Sequence, residues 1–362
     1  MRKILIIAGD KSGDLFAGML AQKLKEIYQE KILIFSLGGE NLKKHSSFLF
    51  NLVNYAVSGL WETSKYLIRL YFVLKKTILW IKKIKPDLII LVDFPEFNLH
   101  LAKKLKKQFR IFYYISPQIW AWREKRVKII KEYIEKMIVI FEFEKEWYLK
   151  RGIEAFYFGH PLLDIIPQNF VHNPQNIITF LPGSRKNELK SHLPLTLSTY
   201  QILKKRLKNY EFLILRPPNI EKSFYLKYVG QSIKIKPYNY QSLAITRFIL
   251  ASSGTATLET AVLGIPFLVF YKVNPLTFLF LKKMVKVKFI GMPNILANKK
   301  IVEEFVQKEA NSYNLAEKTL EIIENPSFYQ KIKKDLSKIK ELLKPEKSIE
   351  NTALFIGKEL EL

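Results

Sequence analysis

Short apolar runs, each closed by a glycine-bearing or polar turn and followed by a stretch of helical period, recur along most of this chain. That alternation constrains the fold more than any other feature. A run such as Ile4 to Ala8 or Leu88 to Val92 has no polar face to show to water, so it belongs in a strand covered on both sides. Strands alternating with helices give a parallel sheet with helices on both faces. Runs at 4–8, 32–37, 88–92, 111–115, 137–141 and 155–158 make a first set, with helical stretches at 15–28 and 99–107. The segment 164–176 then collects two prolines and five Asn or Gln and reads as a linker. Beyond it the rhythm restarts, with runs at 177–181, 212–215, 233–235, 248–251 and 267–270 and helical stretches at 188–208 and 255–263. From residue 302 the chain is charged amphipathic helix, with breaks expected at Pro326 and Pro345. The expectation is two doubly wound α/β domains facing a cleft: residues 1–165, residues 166–345, and a terminal helix over 346–362 that could cross back to the first.

Length fits this, since 362 residues exceed one ordinary core. The absence of cysteine excludes a disulfide scaffold and any thiolate metal site. The apolar run after Lys3 is too short for a signal peptide. No run reaches the roughly 18 residues of a spanning helix, so a cytoplasmic, peripheral protein is expected. With 59 basic and 33 acidic residues the chain carries +26, which calls for an anionic partner.

In open α/β sheets ligands bind where strand ends meet helix N-termini, so the turns after the strands are the places to search. Gly9 to Asp14 (GDKSGD) follows the first run, and Asp10 and Ser12 are its polar candidates; a plain turn capped by Asp14 or Ser12 would explain it equally. Leu181 to Arg185 (LPGSR) follows another, where Gly183, Ser184 and the fixed charge of Arg185 suit a phosphate. Ser252 to Glu259 (SSGTATLE) offers bare backbone N–H groups at Gly254 and Thr255 to a diphosphate, and Glu259 a carboxylate to a ribose. Asp93 ends the apolar run at 88–92, where partial burial would raise its pKa toward general-base use. Glu96 and His160 are further candidates. The five histidines show no metal-binding spacing and no D-x-D occurs, so neither metal nor cofactor is expected.

These segments, in order, carry a resemblance. AGDKSGD (8–14), GLWE (59–62), DFPEFN (93–98), YYISPQIWAWREKR (113–126), FGHPLLD (158–164), LPGSR (181–185), SSGTATLE (252–259) and MPNILA (292–297) closely resemble the lipid-A-disaccharide synthases, inverting glycosyltransferases of the GT-B fold. The resemblance implies transfer from UDP-2,3-diacylglucosamine to 2,3-diacylglucosamine 1-phosphate, giving a β-1,6 disaccharide and UDP without a metal. It implies Asp93 as general base and Arg185 as the arginine offsetting phosphate charge. Gly254 and Thr255 would lie at the diphosphate, Glu259 at the ribose, and Asn294 and Ser12 along the cleft. Two positions depart from the family pattern: Asp10 stands where it usually has Glu, and Glu96 where it usually has Asp.

Acylated substrates give the charge a destination. Between Lys65 and Lys85 there are seven basic residues and no acid, with Leu67, Leu70, Tyr71, Leu74, Ile78 and Ile81 at helical spacing. Such a helix suits the anionic inner face of the inner membrane, and the segment 272–292, with five lysines and no acid, is a second candidate. Packing of both stripes on their own domains is the plain alternative. Two other functions compete: a GT-B enzyme acting on UDP-N-acetylglucosamine, such as a peptidoglycan glycosyltransferase or an epimerase, and a nucleic-acid-binding protein. The second lacks any recognised binding module, so no nucleic-acid partner is expected.

Overall fold

The computed structural model describes residues 1–56, 64–274, 278 and 287–362. The GLWE segment and most of 272–292 therefore lie outside the described residues. The chain forms two units, Met1–Ile165 with Leu343–Leu362, and Ile166–Leu342. The second unit was expected to run to residue 345.

The first unit holds strands β1 (Arg2–Ala8), β2 (Ile32–Gly38), β3 (Ser47–Asn51), β4 (Leu88–Val92), β5 (Ile111–Tyr114), β6 (Lys136–Val139) and β7 (Ala155–Tyr157). They pair in parallel in the order β3-β2-β1-β4-β5-β6-β7. Both faces are buried, which is why the strands read as continuous apolar runs. Leu5, Ile7, Ile89, Leu91 and Tyr113 fill a core on one face. Ile4, Ile6, Ile90, Val92 and Phe112 fill another on the opposite face, where the helix Ser348–Glu359 adds Ile349, Ala353 and Ile356. That helix is fastened further by Ser348 Oγ on the Gly159 carbonyl (2.7 Å) and by the Ile349 N–H on Asp164 (2.8 Å).

The second unit holds β8 (Ile177–Leu181), β9 (Glu211–Arg216), β10 (Lys234–Pro237), β11 (Phe248–Ser252), β12 (Phe267–Tyr271) and β13 (Glu304–Val306). These are also parallel, in the order β10-β9-β8-β11-β12-β13. The expected linker is not slack along its whole length. The Asn173 and Gln175 N–H groups donate to the Ala244 and Ile245 carbonyls, and His172 bonds the Thr246 carbonyl.

Each sheet has one switch point, where successive strands leave in opposite directions: β1/β4 in the first and β8/β11 in the second. The AGDKSGD and DFPEFN turns leave the first; LPGSR and SSGTATLE leave the second. All four turns thus stand at the places where doubly wound sheets bind ligands.

Candidate active site

At the first switch point the turn after β1 is capped by Asp10, whose carboxylate accepts from the Gly13 N–H at 2.6 Å. This corrects the expectation of Asp14 or Ser12 as cap. Ser12 is exposed on the first turn of the helix Lys11–Tyr28. Asp14 is buried and accepts from the Gly39, Asn41 and Leu42 N–H groups and from the Asn41 amide, tying the turn after β2.

Asp93 follows β4 in left-handed backbone (φ 43°), and so does Phe94 (φ 46°). Two consecutive non-glycine residues in that region are strained and persist only under local restraint. The restraints are visible. Asn98, fully buried, donates to the Val92 and Asp93 carbonyls at 3.2 and 2.7 Å. The Tyr113 hydroxyl donates to the Asp93 carbonyl at 2.5 Å. Phe94 is buried, and its ring fills the space that a side chain at position 9 would need, which makes Gly9 obligatory. Burial raises the Asp93 pKa well above the usual carboxylate range, helped by the charge of Asp10 and a hydrogen bond shared with it.

The remaining residues of these motifs hold the frame. Glu96 is not a free acid: it pairs with Arg123 (2.8 Å) and Arg126 (2.9 Å), which fastens the aromatic segment beside DFPEFN. Trp120 donates to Glu144 at 2.8 Å, and burial raises the Glu144 pKa to about 7. Nothing in the sequence reading picked out Glu144. His160, buried between Phe16 and Phe141, accepts from the Leu162 N–H at 3.0 Å, and burial lowers its pKa to about 3. In this structure it is a buried, neutral packing residue.

At the second switch point Ser184, Arg185, Gly254 and Thr255 are all exposed. Arg185 stands at the start of the helix Lys186–Arg206 with its side chain 82% exposed and a 3.4 Å contact to Glu188. Gly183 (φ 123°) lies against Glu188 and Ser252, where an added Cβ would come within 3.2 Å of each. Gly254 (φ 157°) opens the helix Thr255–Val262, leaving its first N–H groups to a ligand. Glu259 is partly exposed and accepts from the Tyr240 hydroxyl at 2.6 Å.

Asn294 departs from expectation. It is fully buried: its amide donates to the Val302 carbonyl and to Glu304, and its oxygen accepts from the Ile301 and Val302 N–H groups. With every polar atom engaged inside its own unit, it supports the site and does not line it. Glu304 also takes the Ile290 and Gly291 N–H groups, and Ser253 donates to the Ile290 carbonyl, so the turn after β11 is anchored from below. Among the described residues no group of three or more His, Asp or Glu is placed to hold a metal ion.

The family model described as lipid-A-disaccharide synthetase matches residues 4–356. The chain belongs to the lipid-A-disaccharide synthase family. A synthase of that name from Persephonella marina is 36% identical, with all of both chains covered. Among solved structures, the UDP-GlcNAc 2-epimerase of Neisseria meningitidis superposes with a TM-score of 0.65 at 14% identity over 99% of each chain. The spinosyn rhamnosyltransferase SpnG does so with a TM-score of 0.61 at 12% identity over the whole of both. At such identities these two show the fold alone, the GT-B arrangement of two parallel-sheet α/β domains with a helical C-terminus. The family makes the chain a glycosyltransferase of lipid A biosynthesis, taking a nucleotide sugar and an acceptor.

Proposed function

We propose that this synthase transfers the sugar of UDP-2,3-diacylglucosamine to the 6-hydroxyl of 2,3-diacylglucosamine 1-phosphate, with Asp93 as the base. The observation that carries the reading is the Asp93 carboxyl, held in strained backbone at the β1/β4 switch point with a raised pKa. A base works best when its pKa approaches the working pH, and burial with a carboxylate neighbour moves an aspartate that way. Asp93 removes the hydroxyl proton as the oxygen attacks the anomeric carbon. The bond from that carbon to the β-phosphate oxygen breaks, and its electron pair leaves on UDP. One in-line displacement inverts the anomeric centre.

The second switch point receives the leaving group. Arg185, Gly183, Ser184 and the N–H groups at Gly254 and Thr255 meet the diphosphate, a fixed charge and oriented dipoles placed where negative charge grows. Glu259 exchanges its Tyr240 hydrogen bond for the ribose hydroxyls. Asp10 and Ser12 border the acceptor.

Both substrates are acylated, so the enzyme works at a lipid surface. The helix Ser64–Ile84 supports this in a manner that corrects the expected stripe. Leu70, Leu74, Ile78 and Ile81 pack on the core of their own unit, while Tyr71, Phe72 and Leu79 are exposed among Lys75, Lys76, Lys82 and Lys83. Aromatic and leucyl side chains ringed by lysine suit the interfacial zone of an anionic bilayer. Among the described residues no helix is long and apolar enough to cross a membrane, and we assign a peripheral position on the inner face of the inner membrane.

The test is UDP release by purified protein with each lipid alone and with both. Release that needs both lipids and is abolished by Asp93→Asn supports the reading; release from the donor alone would indicate a hydrolase or epimerase. For the membrane position, flotation with anionic vesicles at low salt should carry the wild type and lose a Phe72→Ser/Leu79→Ser variant. Wild-type protein left at the bottom of the gradient would refute it.

A further inference from the structure

The turn at 182–185 is held from outside itself. Its exit residue, Arg185, makes no side-chain cap to the helix that follows. Two side chains of that helix fix the turn: Glu188, whose carboxylate takes the Ser184 and Arg185 N–H groups, and His192, fully buried, which reaches further. Its Nε2 accepts from the Lys272 N–H at 3.1 Å, which requires that nitrogen to be bare and leaves the proton on Nδ1. Nδ1 then donates to the Pro182 carbonyl at 2.7 Å. Burial lowers the imidazole pKa and keeps the neutral form that this pair of bonds demands. The ring is wedged edge-on between Phe270 (5.1 Å) and Tyr271 (5.6 Å), so it has one orientation.

The topology gives the bridge its meaning. β11 lies between β8 and β12 in the sheet, so a side chain joining the exit of β8 to the exit of β12 spans the end of β11. The turn it restrains touches the β11 turn, where Gly183 approaches Ser252.

We propose that His192 is a positioning residue for the nucleotide sugar, setting the 182–185 turn in register with the β11 turn so that both face one diphosphate. This rests on the reading of those turns as the diphosphate site. His192 touches no substrate; it acts through the Pro182 carbonyl. Losing a net hydrogen bond or two of ordinary strength corresponds to about tenfold in affinity.

The experiment measures UDP binding by calorimetry, and KM for donor and for acceptor, in His192→Phe, His192→Asn and His192→Gln, with thermal melts to establish folding. The Phe variant keeps the ring and loses both bonds, so UDP affinity should fall about tenfold with donor KM rising in step and acceptor KM unchanged. Asn places its amide near Nδ1 and restores the bond to Pro182; Gln reaches Lys272 instead. Asn should recover most of the affinity and Gln should not. If the Phe variant does not fold, the Asn and Gln pair decides. Equal affinity in Asn and Gln, or wild-type affinity in the Phe variant, overturns the proposal. Arg185→Ala is the control for the underlying reading: if it binds UDP like the wild type, these turns are not the diphosphate site and the proposal falls for that separate reason.

Discussion

Gly9→Ala would be the most informative single substitution, because one methyl group tests both the packing and the placement of the proposed base. A Cβ built on Gly9 lies 1.9 Å from Phe94 Cδ1 and 2.4 and 2.5 Å from two further ring atoms. Ordinary carbon contacts need about 3.5 Å, so the ring must retreat by roughly 1.5 Å. It has little room to do so, being 4% exposed and stacked on Phe97 at 6.0 Å. Its backbone is left-handed and adjoins Asp93, so motion of the ring is passed to the carboxyl. Overpacking of this kind costs roughly 1–3 kcal/mol, and a displacement near 1 Å in a catalytic group costs on the order of a hundredfold in rate. The assay is a double-mutant cycle with Phe94→Ala, read by calorimetric melting and by UDP release. Phe94→Ala alone should cost about 3 kcal/mol, while Gly9→Ala made in that background should cost almost nothing, a coupling of about 2 kcal/mol. Wild-type melting and rate in Gly9→Ala would refute the argument. So would an unchanged Gly9→Ala penalty once the ring is gone, since the clash would then lie elsewhere.

Three further outcomes are expected. Asp93 must be ionised to act, and its raised pKa owes its second cause to the charge of Asp10, so Asp10→Asn should move the acid limb of kcat/KM to lower pH while Asn keeps the helix cap; a limb that stays or moves up would refute this. Glu144 is buried with its pKa raised to about 7, so its contribution to stability is present at acid pH and lost as pH rises through about 7. Glu144→Gln can still accept from Trp120 and should melt higher than wild type above pH 8, by up to about 3 kcal/mol, with the difference vanishing near pH 4; a constant difference across pH would show that the charge is not the cause. Asn294→Ala removes a side chain with four internal bonds and should cost roughly 3 kcal/mol in melting, while folded protein well below its melting point keeps UDP affinity within about threefold; a larger loss of affinity at full folding would place Asn294 at the ligand after all.

What the sequence made legible follows from what each residue must satisfy. Strands buried on both faces leave an unmistakable apolar run, and β1, β4, β8 and β11 were each read in place, as were the turns that follow them. The edge strands β3 and β13 were not, because SFLFN and EFV are half-covered and carry no continuous apolar signal. Within the site the limit is of another kind. A turn announces that it is special through glycine, proline and small polar residues, but not which polar atom it turns outward. Asn294, Glu96 and His160 have the composition of ligand-binding groups and spend it on internal bonds; His192 and Glu304, which help fix the two turns of the second domain, both sit in stretches that read as plain amphipathic helix. The distinction is a matter of satisfied valence, visible only once the partners are in place. Asp93, half-buried at one switch point, and Arg185, Gly254 and Thr255, exposed at the other, are the ones to which the chemistry is assigned. Their neighbours explain why those few hold still: strained backbone at Asp93 is kept by Asn98 and Tyr113, and the turn at Arg185 is kept by Glu188 and His192. In both domains the group assigned to the chemistry is positioned by buried groups that are not.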